Sequence, residues 1–232
     1  MLKSFQKKNQ PVISVAAKQK PNLGNYKNSG MEWEKTGEPR AVNTYDFPDK
    51  DKGKACPYGV FEIFNNEGWM NVGISSDTAE LAVESLRRWW KRIGKYRYPD
   101  ANQLLITADG GGSNGYRIRL WKREIQRFSN ETLLKIKVCH FPPGTSNWNF
   151  CEHQMFSFVS KNWRGHPLDS LATVINLISN TTTTEGLHIE SDLDKNLDEK
   201  GIKVNDKELN SLNIKHYKFH GEWNYQISPQ KN

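Results

Sequence analysis

The sequence predicts an α/β domain, a mixed sheet with helices on its faces. Three observations lead there. Short apolar, β-prone runs recur at 11–17, 58–64, 69–75, 103–109 and 133–141. The second and third are joined by NNEG, which reads as the turn of an antiparallel hairpin. After the hairpin, strands alternate with segments of helical periodicity, and such an alternation covers a sheet with helices.

Taken in order, Met1 to Gln10 is polar and basic and is read as a separate N-terminal segment. PVISVAA (11–17) is a buried strand, and residues 18–57, rich in Lys, Asn, Gly and Pro, form a long insert with one short strand at AVNTYDF. YGVFEIF and WMNVGIS make the hairpin. Asp77 stands where a helix cap belongs, with Glu80 in the capping-box position. Ala82, Leu86, Trp89, Trp90 and Ile93 form the apolar stripe of that helix, while Arg87, Arg88, Lys91 and Arg92 lie largely off it. A strand at about 103–109 runs into a glycine-rich loop. A second basic helix follows at about 115–130, with Ile118, Trp121, Ile125 and Phe128 inward. LLKIKVCHF is another strand, PPGTS breaks the chain, and helices are expected over about 147–163 and 167–179. From Thr181 the chain turns polar and irregular before the strand-like HYKFHGEWNYQI. The expected division is 1–10, a domain over 11–180 with its insert at about 18–57, and an extension over 181–232 packed on that domain.

Composition narrows the function classes. The 232 residues carry a net charge of +7, which favours an anionic partner. Cys56, Cys139 and Cys151 are scattered without a CxxC pair, a pattern suited to a reducing compartment. Together with His140, His153 and His166 they lack the spacing of a zinc site. No apolar run approaches the ~20 residues of a membrane span and no signal peptide opens the chain, so a soluble, intracellular protein is expected.

LLITADGGGSNG (104–115) places Asp109 at the end of a strand and follows it with Gly110, Gly111 and Gly112, which clear side chains away from the carboxylate. Gly110, Gly112 and Gly115 also satisfy GxGxxG, so a nucleotide-binding loop is one reading and a plain turn with an Asp cap another. Against the nucleotide reading, the motif lies downstream of a hairpin, and the next strand ends in Cys139-His140-Phe141 where a ribose-binding acid belongs. A second acid bears on the choice. On a wheel of ~100° per residue, Trp148, Cys151, Met155, Phe156, Phe158 and Val159 share an arc, and Glu152 falls inside it. A carboxylate aimed at a core costs several kcal/mol unless it is paired or holds a metal. Glu152 is therefore either the partner of a buried Lys or Arg, or a ligand that converges with Asp109 on Mg²⁺.

Three long segments carry a resemblance: LLITADGGGSNGYRIRLWKREIQRF, VCHFPPGTSNWNFCEHQMFSFVSKNWRG and the terminal FHGEWNY. They resemble the Rhodopirellula-type DDE transposases of bacterial insertion sequences, over about Pro11 to Ile227. The resemblance implies a ribonuclease H-like catalytic domain, metal-dependent cleavage and transfer of DNA strands, and two Mg²⁺ (or Mn²⁺) ions in the intact site. It implies DNA as partner, both element ends and target, admits a homo-oligomer in the DNA complex, and implies a cytoplasmic, nucleoid-associated bacterial protein without membrane attachment. Asp109 becomes the second catalytic acid and metal ligand and Glu152 the third, 43 positions later, with Asn149 supporting three residues before Glu152. Arg87, Arg88, Lys91, Arg92, Arg117, Arg119 and Lys122 become expected phosphate contacts. The family usually carries a DNA-binding region ahead of this domain, so the chain reads as the C-terminal part of a transposase. The first acid is expected at the end of the first strand, yet the sequence there is VISVAAKQK, with Ala16 in its place. Alanine offers no lone pair to a metal, so weakened metal binding and an inactive domain are expected. Asp46 and Asp77 are the nearby acids at strand or helix edges that could compensate. A non-enzymatic DNA-binding or assembly remnant is the alternative.

Overall fold

The computed structural model describes residues 1–44 and 52–230. Its centre is an eight-stranded sheet in the order β6-β3-β2-β1-β4-β5-β8-β7. The strands are β1 (Val12–Ala17), β2 (Cys56–Glu62), β3 (Glu67–Gly73), β4 (Gln103–Ala108), β5 (Lys135–His140), β6 (His188–Asp194), β7 (Ile214–His216) and β8 (Asn224–Ile227). β1, β2 and β3 form an antiparallel meander, and β4 and β5 run parallel to β1 on its other side. This core order, 3-2-1-4-5 with three antiparallel strands followed by two parallel ones, is the ribonuclease H-like arrangement. The helices are α1 (Leu2–Lys7), α2 (Ala79–Trp89), α3 (Lys95–Arg97), α4 (Arg119–Thr132), α5 (Ser157–Asn162), α6 (Leu171–Ser179) and α7 (Asp206–Ser211).

β1 is apolar almost throughout because it is central and both of its faces are covered. Ile13 and Val15 pack under α2 and α4 with Leu86, Trp89, Trp121, Ile125 and Phe128. Ala16 faces the opposite layer, with Cys151, Met155, Phe156 and Val159. Two strand glycines make that second layer thin. A Cβ at Gly59 would lie 2.5 Å from both Met155 Cε and Phe156 Cε1, and one at Gly68 2.5 Å from Met155 Sδ. Their absence lets the segment that bears Glu152 settle directly on β2 and β3.

Several sequence expectations need correction. Thr78, not Asp77, caps α2: its Oγ1 accepts from the Leu81 N–H at 3.0 Å. The helix therefore starts one residue later, Glu80 falls short of the position a capping box requires, and the box does not form. Ile118 is 38% exposed, because it precedes α4 in extended backbone and helical periodicity does not reach it. Trp148 is 59% exposed: it ends a 3₁₀ turn, Ser146–Trp148, and a separate π-helix, Cys151–Phe156, begins beyond it. A single 100° wheel does not run through that junction. The polar stretch after Thr181 contains β6, which pairs parallel to β3 over its whole length. Within the insert, Asn43 forms an isolated bridge to Tyr26, and residues 45–51 of that region, Asp46 included, lie outside the described residues. Met1 to Gln10 contributes α1, whose Phe5 packs with Val12 and Leu105. Among the described residues no helix is long and apolar enough to cross a membrane.

Candidate active site

The candidate site lies at the carboxyl ends of β1 and β4. These strands pair in parallel, with Val15 beside Ala108 as the last couple. The next residues are Ala16 and Asp109, so the alanine is the lateral neighbour of the acid, about one strand spacing of ~4.8 Å away. Across β1 on the other side, Ala16 pairs with Gly59. Buried Ala16 thus lies between a glycine on one side and the acid on the other.

Glu152 comes to this edge from the π-helix, and Asn149 holds that helix down. Asn149 is fully buried. Its Oδ1 accepts from Ser14 Oγ at 2.7 Å and from the Cys151 N–H at 3.0 Å, while its Nδ2 donates to the Val15 carbonyl at 3.2 Å. One amide therefore fastens the start of the acid-bearing helix to the strand that carries Ala16. The π-winding, with its i→i+5 bonds, displaces Glu152 from the core direction a regular helix would give it. It is half-buried rather than enclosed.

Both carboxyls are perturbed. Burial raises Asp109, and a hydrogen bond from the Asn149 side chain pulls it partly back. Burial also raises Glu152, and the Asp109 charge adds to that rise while Lys18 and His153 oppose it. Burial pushes the Cys151 thiol far up, with the Glu152 and Asp109 charges adding, so this cysteine is an inert core group between the two acids. Lys18 is the cation that acts most on Glu152. Its Nζ donates to Ser160 Oγ at 2.5 Å, approaches the Phe156 carbonyl at 3.5 Å and lies over the Trp163 ring, 4.9 Å from its centre. Burial lowers its pKa while Glu152 holds it up. Ser14 and Lys18 were not read as site residues from sequence. The available signal was the period of two that places 14, 16 and 18 on one face of a strand.

The glycine loop leaves open space at Gly111 and Gly112, where a Cβ would meet nothing within 4 Å. Gly112 adopts φ +72°, a conformation that favours glycine. Gly115 closes the loop on itself, its N–H bonding the Gly112 carbonyl at 3.1 Å. α4 starts only at Arg119, so the glycines do not open a helix as a dinucleotide fingerprint does.

Six of the seven basic residues expected at DNA ride on the α2–α4 side, across the sheet from Glu152. Arg87 pairs with Glu84 and Glu131, Arg88 with Glu84 and the buried Asp194, Arg92 with Asp192, and Arg119 with Asp206. Lys122 and Arg117 lie over the Tyr225 and Tyr116 rings, and Lys91 is exposed.

Two metal ions do not fit this arrangement as it stands. Among the described residues, no group of three His, Cys, Asp or Glu side chains is placed to hold a metal ion. Ala16, next along from the last β1–β4 couple and so beside Asp109, offers only a methyl group, and the Lys18 charge acts on Glu152. Asp77 directly precedes the cap of α2, with Oδ1 buried and without a hydrogen-bond partner among the described residues.

No curated protein matches the chain in sequence. Among solved structures it is similar to the Mos1 transposase paired-end complex with left transposon end, at 12% identity and a TM-score of 0.47, over 75% of this chain and 48% of that one. It is also similar to the Mos1 mariner paired end complex with Mn, at 11% identity and a TM-score of 0.42, over the same shares. The chain spans about half the length of each. The model of the Rhodopirellula transposase DDE domain family matches residues 1–229, and the chain belongs to that family.

Proposed function

We propose that this chain is the DNA-handling catalytic domain of a transposase in which Asp109 and Glu152 are the second and third acids, and that it does not cut or join DNA as it stands. The observation that carries the reading is the register of Ala16 against Asp109. The place where a first acid would complete a triad is built, adjacent and shielded, but holds a methyl. An intact site uses divalent ions to activate an attacking oxygen and stabilise a leaving one. Two carboxylates with a lysine beside them supply too few oxygen ligands for that, so no step is assigned here to a metal. What the chain retains is the fold, a basic surface and the clamp that would orient an acid pair.

The test restores the acid. Ala16→Asp, alone and combined with Asp109→Ala, is assayed for Mg²⁺-dependent nicking and strand transfer on DNA that carries the element's ends. Activity that appears with Ala16→Asp and vanishes with the second change supports the triad. Robust, Asp109-dependent cutting by the unmodified chain would show that another residue supplies the first acid. Salt-sensitive DNA binding with no cutting by either form would favour the non-enzymatic, assembly reading.

A further inference from the structure

Beside the acid pair, between the segment that leaves β1 and helix α5, the surface opens into a cleft of about 320 Å³. Lys18, Lys20, Lys27, Tyr26, Ser160 and Trp163 are among its walls. Three features mark its chemistry. Among the described residues it carries three lysines and no Asp or Glu, whereas the arginines of α2 and α4 are largely neutralised by neighbouring acids. Its inner end is fixed: Lys18 is held by Ser160 and by the Phe156 and Trp163 rings. Behind Trp163, the Asn28 amide donates to the Trp163 carbonyl at 2.8 Å and ties the insert to the end of α5. Trp163 also keeps a buried indole N–H that has no partner among the described residues. The outer lysines, Lys20 and Lys27, are exposed and free to meet a ligand.

We propose that this cleft binds the phosphate backbone of a DNA strand and leads it to the Asp109–Glu152 edge, so that the DNA track runs over the β1–α5 side and not over α2 and α4. The proposal rests on the reading of the chain as a DNA-handling domain. Lysines act as point charges toward phosphate without demanding a fixed geometry. A cleft of this volume is at the lower bound of small-ligand sites, enough for a phosphate with its sugar and too open to enclose a larger free cofactor. Among the described residues no carboxylate lines the cleft, and three lysines do, which favours an anionic ligand. Lys18 joins the cleft to the acid-bearing segment by position: it directly follows the last residue of β1, and its Nζ reaches the Phe156 carbonyl, at the end of the π-helix that carries Glu152.

The experiment measures binding of the full chain to a short duplex of arbitrary sequence across a salt series. The comparison is between the unmodified chain, Lys20→Gln/Lys27→Gln, and Arg92→Gln/Arg119→Gln as a control on the far face. Each lost phosphate contact lowers the slope of log affinity against log salt by about 0.9. The lysine pair should therefore flatten the slope by about 2, with an unchanged unfolding midpoint, and the arginine pair should leave it alone. An unaltered slope in the lysine variant, with normal binding by the parent, overturns the cleft while leaving the domain's DNA role standing. A parent that binds no DNA at low salt overturns both. Poly-glutamate is the competing probe: if it displaces the duplex as well as unlabelled DNA does, the cleft is a general acid-polymer site and the proposal fails.

Discussion

Ser14 Oγ donates to Asn149 Oδ1 at 2.7 Å across 135 positions of chain, and both side chains are fully buried. This bond, with the two others made by the same amide, joins the central strand to the helix of Glu152. Asn149→Ala removes all three and leaves the Ser14 hydroxyl, the Cys151 N–H and the Val15 carbonyl buried without that partner. Unsatisfied buried groups cost ~1–3 kcal/mol each with partial relaxation, so a loss of about 2–4 kcal/mol is expected in urea unfolding. Asp109 should also titrate higher in the variant, because it loses the Asn149 contact that lowers it. A carboxyl titration of Asp109 that stays where it was would remove Asn149 from the site.

Glu152 is raised in the folded state, first by burial and then by Asp109. A folded carboxyl with a raised pKa holds its proton longer than the unfolded chain does. Its stabilising share is therefore present below the unfolded value of ~4.3 and is lost as pH rises through the folded value. Glu152→Gln should raise the unfolding midpoint at pH near 7 and leave it unchanged at about pH 3. A gain of equal size at both ends would mean that shape, not charge, is responsible.

Arg88 was expected to contact phosphate, but it holds the buried Asp194, which also accepts from the Asn71 amide at 2.8 Å. Removing one partner of a buried pair strands the other charge. Arg88→Ala should destabilise the chain by about 2–4 kcal/mol while the salt slope of DNA binding stays the same. A flattened slope with little loss of stability would return Arg88 to the DNA surface.

Gly59 lies opposite Ala16 and beneath Met155 and Phe156. Gly59→Ala forces the π-helix away from the sheet or drives the Phe156 ring off its rotamer, and overpacking of this kind costs ~1–3 kcal/mol. The unfolding midpoint should fall accordingly. In an Ala16→Asp background, any restored cutting should fall with it. An unchanged midpoint would show that Met155 and Phe156 move aside freely and that the glycine is not what sets the height of the helix.

Sequence alone determined the core of the sheet and its order of elements. Apolar runs at 11–17, 58–64 and 103–109 are long and periodic enough that only strands covered on their faces can satisfy them, and β1, β2 and β4 lie there. It also determined the family, because the segments around Asp109 and Glu152 are long, and it showed that position 16 lacks an acid. Tertiary structure decided the rest. β6 lies in a polar stretch with little apolar alternation, and it is a strand because the open edge of β3 supplies its hydrogen-bond partners. Glu152 escaped the helical wheel because π-winding changes the angle per residue, in a segment that the strand glycines let settle on the sheet. The basic residues divided into paired and unpaired only on folding, since their acids come from distant segments such as 192–194 and 206. Charge is a property of the residue, but whether a charge is available to a ligand depends on what the fold brings beside it.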